Sequence, residues 1–190
     1  VSKYSISPYR ACSHACAYCD GRAEKYFVEG DYERDIVVRR NLPRIVESSL
    51  GKIREPGTLS ISSGTSDPYQ EVERSEELSR DIAKLLPESD CSVHLMTKSN
   101  LPLRDLSLWQ RVHEKSGVTL MISLVFLDDR DRFVFEPGAS SVEDRLFLLR
   151  RFKEEGMDVA VAAMPFLPFI NDGGDYMEHL FSKLSTLQVS

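Results

Sequence analysis

Short runs rich in β-branched and apolar residues alternate, between residues 40 and 190, with longer stretches whose apolar positions recur at helical spacing. The spacing predicts strands over residues 58–62, 92–96, 118–124 and 158–163. The last two are almost continuously apolar, which predicts burial on both faces. Leu42, Ile45, Val46, Leu50 and Ile53 mark one helix; Leu78, Ile82 and Leu85 a second; Val142, Leu146, Leu149 and Phe152 a third. A last helix follows Gly173-Gly174, with Tyr176, Leu180, Phe181, Leu184 and Leu187 as its core stripe. Asn41, Ser75 and Ser141 are predicted N-caps, with Asp144 three residues after Ser141, and Gly117 and Gly156 are predicted stops.

Strand-helix alternation implies an α/β fold: a parallel sheet joined by right-handed crossovers. With a first strand over residues 3–7 the chain holds five βα units, too few to close a barrel comfortably. The expectation is one domain over residues 1–190, either an open sheet or a barrel lacking C-terminal material. Its site is expected where the C-terminal strand ends and the helix N-termini converge.

Composition narrows the class. Of 190 residues, 42% are hydrophobic and 28% charged, which fits a globular chain and excludes disorder. The net charge of −6 argues against non-specific nucleic-acid binding, without excluding a local basic groove. No apolar run approaches the roughly 20 residues of a membrane span, and the N-terminus carries no apolar signal core; no membrane contact and a cytoplasmic setting are expected.

The cysteines change the picture most. Cys12-Ser-His-Ala-Cys16-Ala-Tyr-Cys19 packs three thiols into one short loop directly after the predicted first strand, while Cys91 stands alone at the opposite end of the sheet. Three closely spaced thiolates can hold three irons of a 4Fe-4S cubane and leave the fourth open to an exogenous ligand. Two alternatives stand beside this: a helix face of buried small side chains, and a zinc site completed by His14 or another residue.

The CxxxCxxC loop, with Tyr18 just before its third cysteine, resembles the signature of the radical S-adenosylmethionine superfamily. Ser7-Pro-Tyr-Arg10, Gly64-Thr-Ser-Asp-Pro-Tyr-Gln70, Thr97-Lys-Ser99, Glu136-Pro-Gly138 with Arg145, and Pro165-Phe-Leu-Pro-Phe-Ile-Asn-Asp172 resemble its spore photoproduct lyase-like branch. The resemblance implies a partial (β/α)6 TIM-like barrel, truncated here to about five units. It also implies a 4Fe-4S cluster on Cys12, Cys16 and Cys19, with S-adenosyl-L-methionine on the open iron. Reductive cleavage would then give a 5′-deoxyadenosyl radical that abstracts a substrate hydrogen, with a flavodoxin or ferredoxin as reductant. Nucleic-acid repair of the spore photoproduct lyase type is one alternative outcome; a non-catalytic zinc- or cluster-binding module is another.

The resemblance also assigns ligand contacts. Tyr18 would shield the cluster and pack on adenine, or merely anchor the loop. Lys98 would pair with the ligand carboxylate, and Ser123 would bond the carboxylate or the ribose, unless its hydroxyl serves the backbone. Thr65 and Ser66 lie where the superfamily contacts the amino group, although Asp67-Pro68 beside them is also a plain turn signal. Two departures stand out: Cys19-Asp-Gly-Arg22 lacks the usual aromatic and small pair, and Ser63-Gly-Thr-Ser-Asp67 lacks the hydrogen-donating cysteine of a true spore photoproduct lyase. Glu136-Pro-Gly138 and Asn171-Asp-Gly-Gly174 read as turn chemistry, and the basic group Arg39, Arg40, Arg44, Lys52 and Arg54 as a solvated face. Trp109, Met121, Phe147 and Phe152 read as packing residues.

Overall fold

The computed structural model describes residues 2–62 and 64–187. Its frame is a five-stranded parallel sheet whose spatial order follows the chain: β1 (Tyr4–Ile6), β4 (Thr58–Ile61), β5 (Ser92–Thr97), β6 (Val118–Ser123) and β7 (Asp158–Ala162). Each of the five predicted strands is present within one residue at either end. The sheet is open between β1 and β7, as expected of a partial barrel. A two-stranded antiparallel ribbon, β2 (Tyr9–Arg10) with β3 (Val37–Val38), stands apart from it. The helices are α1 (Leu42–Leu50), α2 (Glu73–Glu76), α3 (Leu78–Leu85), α4 (Leu106–Ser116), α5 (Asp129–Phe135), α6 (Val142–Glu154) and α7 (Gly174–Ser185).

Register separates the two sheet faces. Ile6, Ile61, Leu95, Leu120 and Val159 align across all five strands, and every one is buried. Against this face pack Val46 of α1, Ile82 of α3, Trp109 and Val112 of α4, and Leu149 and Phe152 of α6. The next row, Ser5, Ser60, His94, Thr119 and Asp158, points the other way, because strand side chains alternate. Met96, Met121 and Ala160 follow on that face, then Ser123 and Ala162. The expectation that β6 and β7 are buried on both faces holds in part: on the second face Ser123, Ala160 and Ala162 are buried, Thr119 and Met121 are half-buried and Asp158 is exposed. That face lies on the concave side of the unclosed barrel.

The helix ends are mixed. Ser141 caps α6 by accepting from the Asp144 N–H at 3.1 Å, and Gly117 and Gly156 take positive φ at the ends of α4 and α6. Asn41 occupies the N-cap position of α1 without a side-chain bond. Ser75 lies inside α2, and Glu77, in the left-handed region, begins α3. Trp109 and Phe152 are fully buried, but Phe147 is 46% exposed and does not join the core.

Candidate functional site

The chain leaves β1 and makes a long excursion over residues 11–36, closed at its base by the β2–β3 ribbon. Cys12 N–H bonds Tyr32 O at 3.0 Å across that base. Ala11 and Ala15 adopt positive φ, the tight turns that aim neighbouring thiols inward. Two neighbouring segments and one side chain of the excursion itself pin the loop. From the segment after β4, the buried Gln70 side chain accepts from Ser13 N–H at 2.8 Å and donates to Ala11 O at 3.0 Å; Ser66 Oγ also donates to Ala11 O, at 2.9 Å. Within the excursion, Arg22 donates twice to Cys16 O. From the segment after β6, Phe135 O accepts from Ala17 N–H at 2.8 Å, and Gly138 N–H donates to His14 O at 3.0 Å. Only glycine permits that last approach: a Cβ at residue 138 would stand 2.2 Å from Ser13 O.

Cys12, Cys16 and Cys19 line one pocket at the C-terminal rim of the sheet, together with Tyr18, Tyr32, Ser66, Asp67, Met96, Lys98 and Ser123. Thr65 does not reach this wall among the described residues, and Ser63 lies outside them. Burial pushes the Cys12 thiol well up, and burial lifts Cys16 to about 12 despite the nearby Lys98 charge. Metal charge deprotonates coordinating thiols outright, so a bound cation would reverse the shift at Cys12 and Cys16. Among the described residues no three His, Cys, Asp or Glu side chains converge as they would around a single ion; the thiols are spread along the pocket wall. Cys91 is buried just before β5, at the far end of that strand.

Lys98, directly after β5, reaches across to β6. Its Nζ donates to Ser123 Oγ at 2.6 Å, lies 3.9 Å from Glu136 Oε1 and sits 5.6 Å from the Tyr18 ring centre. The Tyr18 hydroxyl donates to Glu136 Oε1, and burial first, then this carboxylate, raises the phenol pKa. Behind them, Arg145 donates Nη2 to Glu136 Oε2 at 2.6 Å and Nη1 to Ser123 O at 2.9 Å. Glu136 and Arg145 are both fully buried, so the turn reading of Glu136-Pro-Gly138 was incomplete.

Asp67 organises the opposite side. Its carboxylate accepts from Tyr69 N–H, Thr97 Oγ1 and Lys98 N–H. His14 Nε2 lies 3.2 Å away, while His14 Nδ1 bonds Gly138 O at 2.9 Å. Burial alone would raise the Asp67 carboxyl; the charge of His14 and these donors hold it below the ordinary range.

The sequence model of the Radical SAM superfamily matches residues 6–181. The chain belongs to that superfamily. It is 28% identical over 191 aligned residues to the uncharacterised protein Rv2578c of Mycobacterium tuberculosis, and 28% identical over 173 to the uncharacterised protein ORF301 of Acidianus two-tailed virus. These matches cover 96% and 83% of this chain but 55% and 54% of the relatives, so the chain spans about half the length of the curated relatives it matches. Among solved structures, the fold is similar to spore photoproduct lyase complexed with dinucleoside spore photoproduct. There the TM-score is 0.72 at 16% identity, over 98% of this chain and 52% of that one. Methylornithine synthase is also similar, with a TM-score of 0.61 at 14% identity, over 98% of this chain and 50% of that one. Superfamily membership and fold thus agree with the resemblance read from the motifs.

Proposed function

We propose that residues 1–190 form the core of a radical S-adenosylmethionine enzyme, with Cys12, Cys16 and Cys19 holding a 4Fe-4S cluster. The observation that carries this reading is the shared pocket, which Cys12, Cys16 and Cys19 line together with Lys98 and Ser123. A double mutant of spore photoproduct lyase, a protein of similar fold, has been solved with bound AdoMet and dinucleoside spore photoproduct, which supports the same ligand here.

When bound, cluster and S-adenosylmethionine supply a reductive cleavage that yields a 5′-deoxyadenosyl radical for hydrogen abstraction; a flavodoxin or ferredoxin in a reducing, cytoplasmic setting is the proposed electron source. The chain's own residues bind and orient. Of the three Lys98 donors one is committed to Ser123, leaving others for the ligand carboxylate. The Lys98 ammonium lies 3.9 Å from Glu136 Oε1, while Arg145 takes the other oxygen of that carboxylate at 2.6 Å, so an anionic ligand group can still approach the ammonium. Tyr18 presents its ring beside the cluster loop. Ser66 already bonds Ala11 O and accepts from Gln70, so its part is to hold the loop on which Cys12 stands. The substrate is not assigned. A nucleic acid is the second reading, favoured by the likeness to spore photoproduct lyase; the missing thiol after β4 argues against that enzyme's own reaction.

Anaerobic reconstitution tests the assignment. The parent and Cys91→Ala should each hold about four irons per chain, and alanine at Cys12, Cys16 or Cys19 should abolish cluster assembly. S-adenosylmethionine should then change the reduced cluster's electron paramagnetic resonance spectrum. Stoichiometric zinc without iron, or equal iron loss in all four variants, overturns the reading.

A further inference from the structure

Glu136, Arg145, Tyr18, Lys98 and Ser123 close a ring of contacts. Arg145 holds both Glu136 Oε2 and the Ser123 carbonyl; Ser123 Oγ holds Lys98 Nζ; Lys98 faces the Tyr18 ring; the Tyr18 hydroxyl returns to Glu136 Oε1. One guanidinium thus fixes both supports of the Lys98 ammonium. The ring draws its members from the cysteine loop, β6, α6 and the segments after β5 and α5.

A buried ion pair is a poor device for stability alone, since apolar side chains of like volume often do as well. This pair has a geometric output instead. Glu136 Oε1 is the point to which both the Tyr18 hydroxyl and the Lys98 ammonium are referred, and those two groups lie on the pocket wall. We propose that Glu136, locked by Arg145, is a positioning residue that sets the Tyr18 ring and the Lys98 ammonium in register with each other for S-adenosylmethionine. The inference rests on the functional reading above and adds the coupling: the ligand site and the cluster loop are aligned by one buried carboxylate that touches neither cofactor.

Glu136→Gln keeps the shape but turns a double acceptor into an acceptor and a donor: with its oxygen on Arg145 it meets Tyr18 with an N–H, and the hydroxyl must reverse from donor to acceptor. Lys98 then faces Arg145 with no negative charge between them. Tyr18→Phe removes only the hydroxyl link. On reconstituted proteins of matched iron content, anaerobic calorimetry with S-adenosylmethionine should show about tenfold weaker binding for Glu136→Gln and about fivefold for Tyr18→Phe. The double variant should be within about twofold of Glu136→Gln, because the hydroxyl has already lost the carboxylate to which it donates. The ligand-free reduced spectrum should be unchanged in all three, while the ligand-induced change should require more ligand. Multiplicative losses, or parent affinity in either single variant, overturn the proposal. If Glu136→Gln does not fold, Tyr18→Phe decides: the fivefold loss supports it and parent affinity overturns it. A parent that itself shows no ligand-induced change overturns the functional reading instead.

Discussion

Asp67 grips Lys98 by its backbone: the Lys98 N–H donates to Asp67 Oδ2 at 2.8 Å while the ammonium turns away to Ser123. Asp67 therefore fixes where the residue starts without engaging its ammonium. Thr97 Oγ1, bonded to Asp67 Oδ1 at 2.6 Å, holds the preceding residue the same way. The end of β5 is thus anchored to the segment after β4.

Asp67→Asn should be costly for this reason. The amide offers one acceptor oxygen where Tyr69 N–H, Thr97 Oγ1 and Lys98 N–H all donate, and its NH₂ must face one of them. It also takes the carboxylate away from the buried His14 Nε2, 3.2 Å off. The expected loss is about 1–3 kcal/mol of unfolding free energy, the cost of leaving a buried donor unsatisfied. Chemical denaturation checks it, and a loss under about 1 kcal/mol would show that the contacts are dispensable.

The strands, their order and the position of the cysteine loop were legible because they leave runs and spacings in the sequence. The β2–β3 ribbon was not, since two-residue strands have no alternation to detect. Glu136, Gln70 and the His14–Asp67 contact were missed because each gains its role from a partner on another segment. Arg145 did leave a trace. It sits three residues after Val142 and one before Leu146, a cation on the apolar stripe of α6, and a buried charge there demands a partner such as Glu136. Asp67-Pro68 hid its function behind a turn motif that accounted for the residues locally.

Gly138 sets how closely the segment after α5 meets the cysteine loop. A Cβ there would stand 2.2 Å from Ser13 O and 2.8 Å from His14 Cα, both backbone atoms that cannot swing aside. Gly138→Ala should cost about 1–3 kcal/mol through forced backbone shifts, and should lower iron retention after desalting because the loop carrying Cys12 and Cys16 must move. Parent stability and iron content together would show that the segment yields freely.

His94 gives the polar face of the sheet a pH signature. Burial holds its imidazole below the ordinary value of 6.5, so the unfolded chain takes up a proton at a higher pH than the folded one. Where the unfolded state binds more protons, stability rises with pH. This contribution is complete above 6.5 and is lost as pH falls from there through the folded value. Urea midpoints measured from neutral to mildly acidic pH should fall less steeply for His94→Gln than for the parent. Parallel curves would assign the acid slope to other groups.

Lys98 offers the sharpest test of the pocket, because its side chain is 16% exposed and its ammonium is held by a hydroxyl and an aromatic face, with the carboxylate at 3.9 Å. Losing one charge-assisted hydrogen bond to a ligand carboxylate in such a site costs on the order of 1.5–3 kcal/mol, roughly a ten- to hundredfold loss of S-adenosylmethionine affinity in Lys98→Ala. Iron content should stay at the parent level, since no thiol is touched. Lys98→Arg should restore little: the planar fork is wider than an ammonium, and the space between Ser123, Glu136 and the Tyr18 ring is already shaped to the smaller group. Anaerobic calorimetry on reconstituted protein reads the affinity directly. A Lys98→Ala value within about twofold of the parent would mean the ammonium serves only its protein neighbours, Ser123 and Glu136, and that the ligand carboxylate binds elsewhere on the rim.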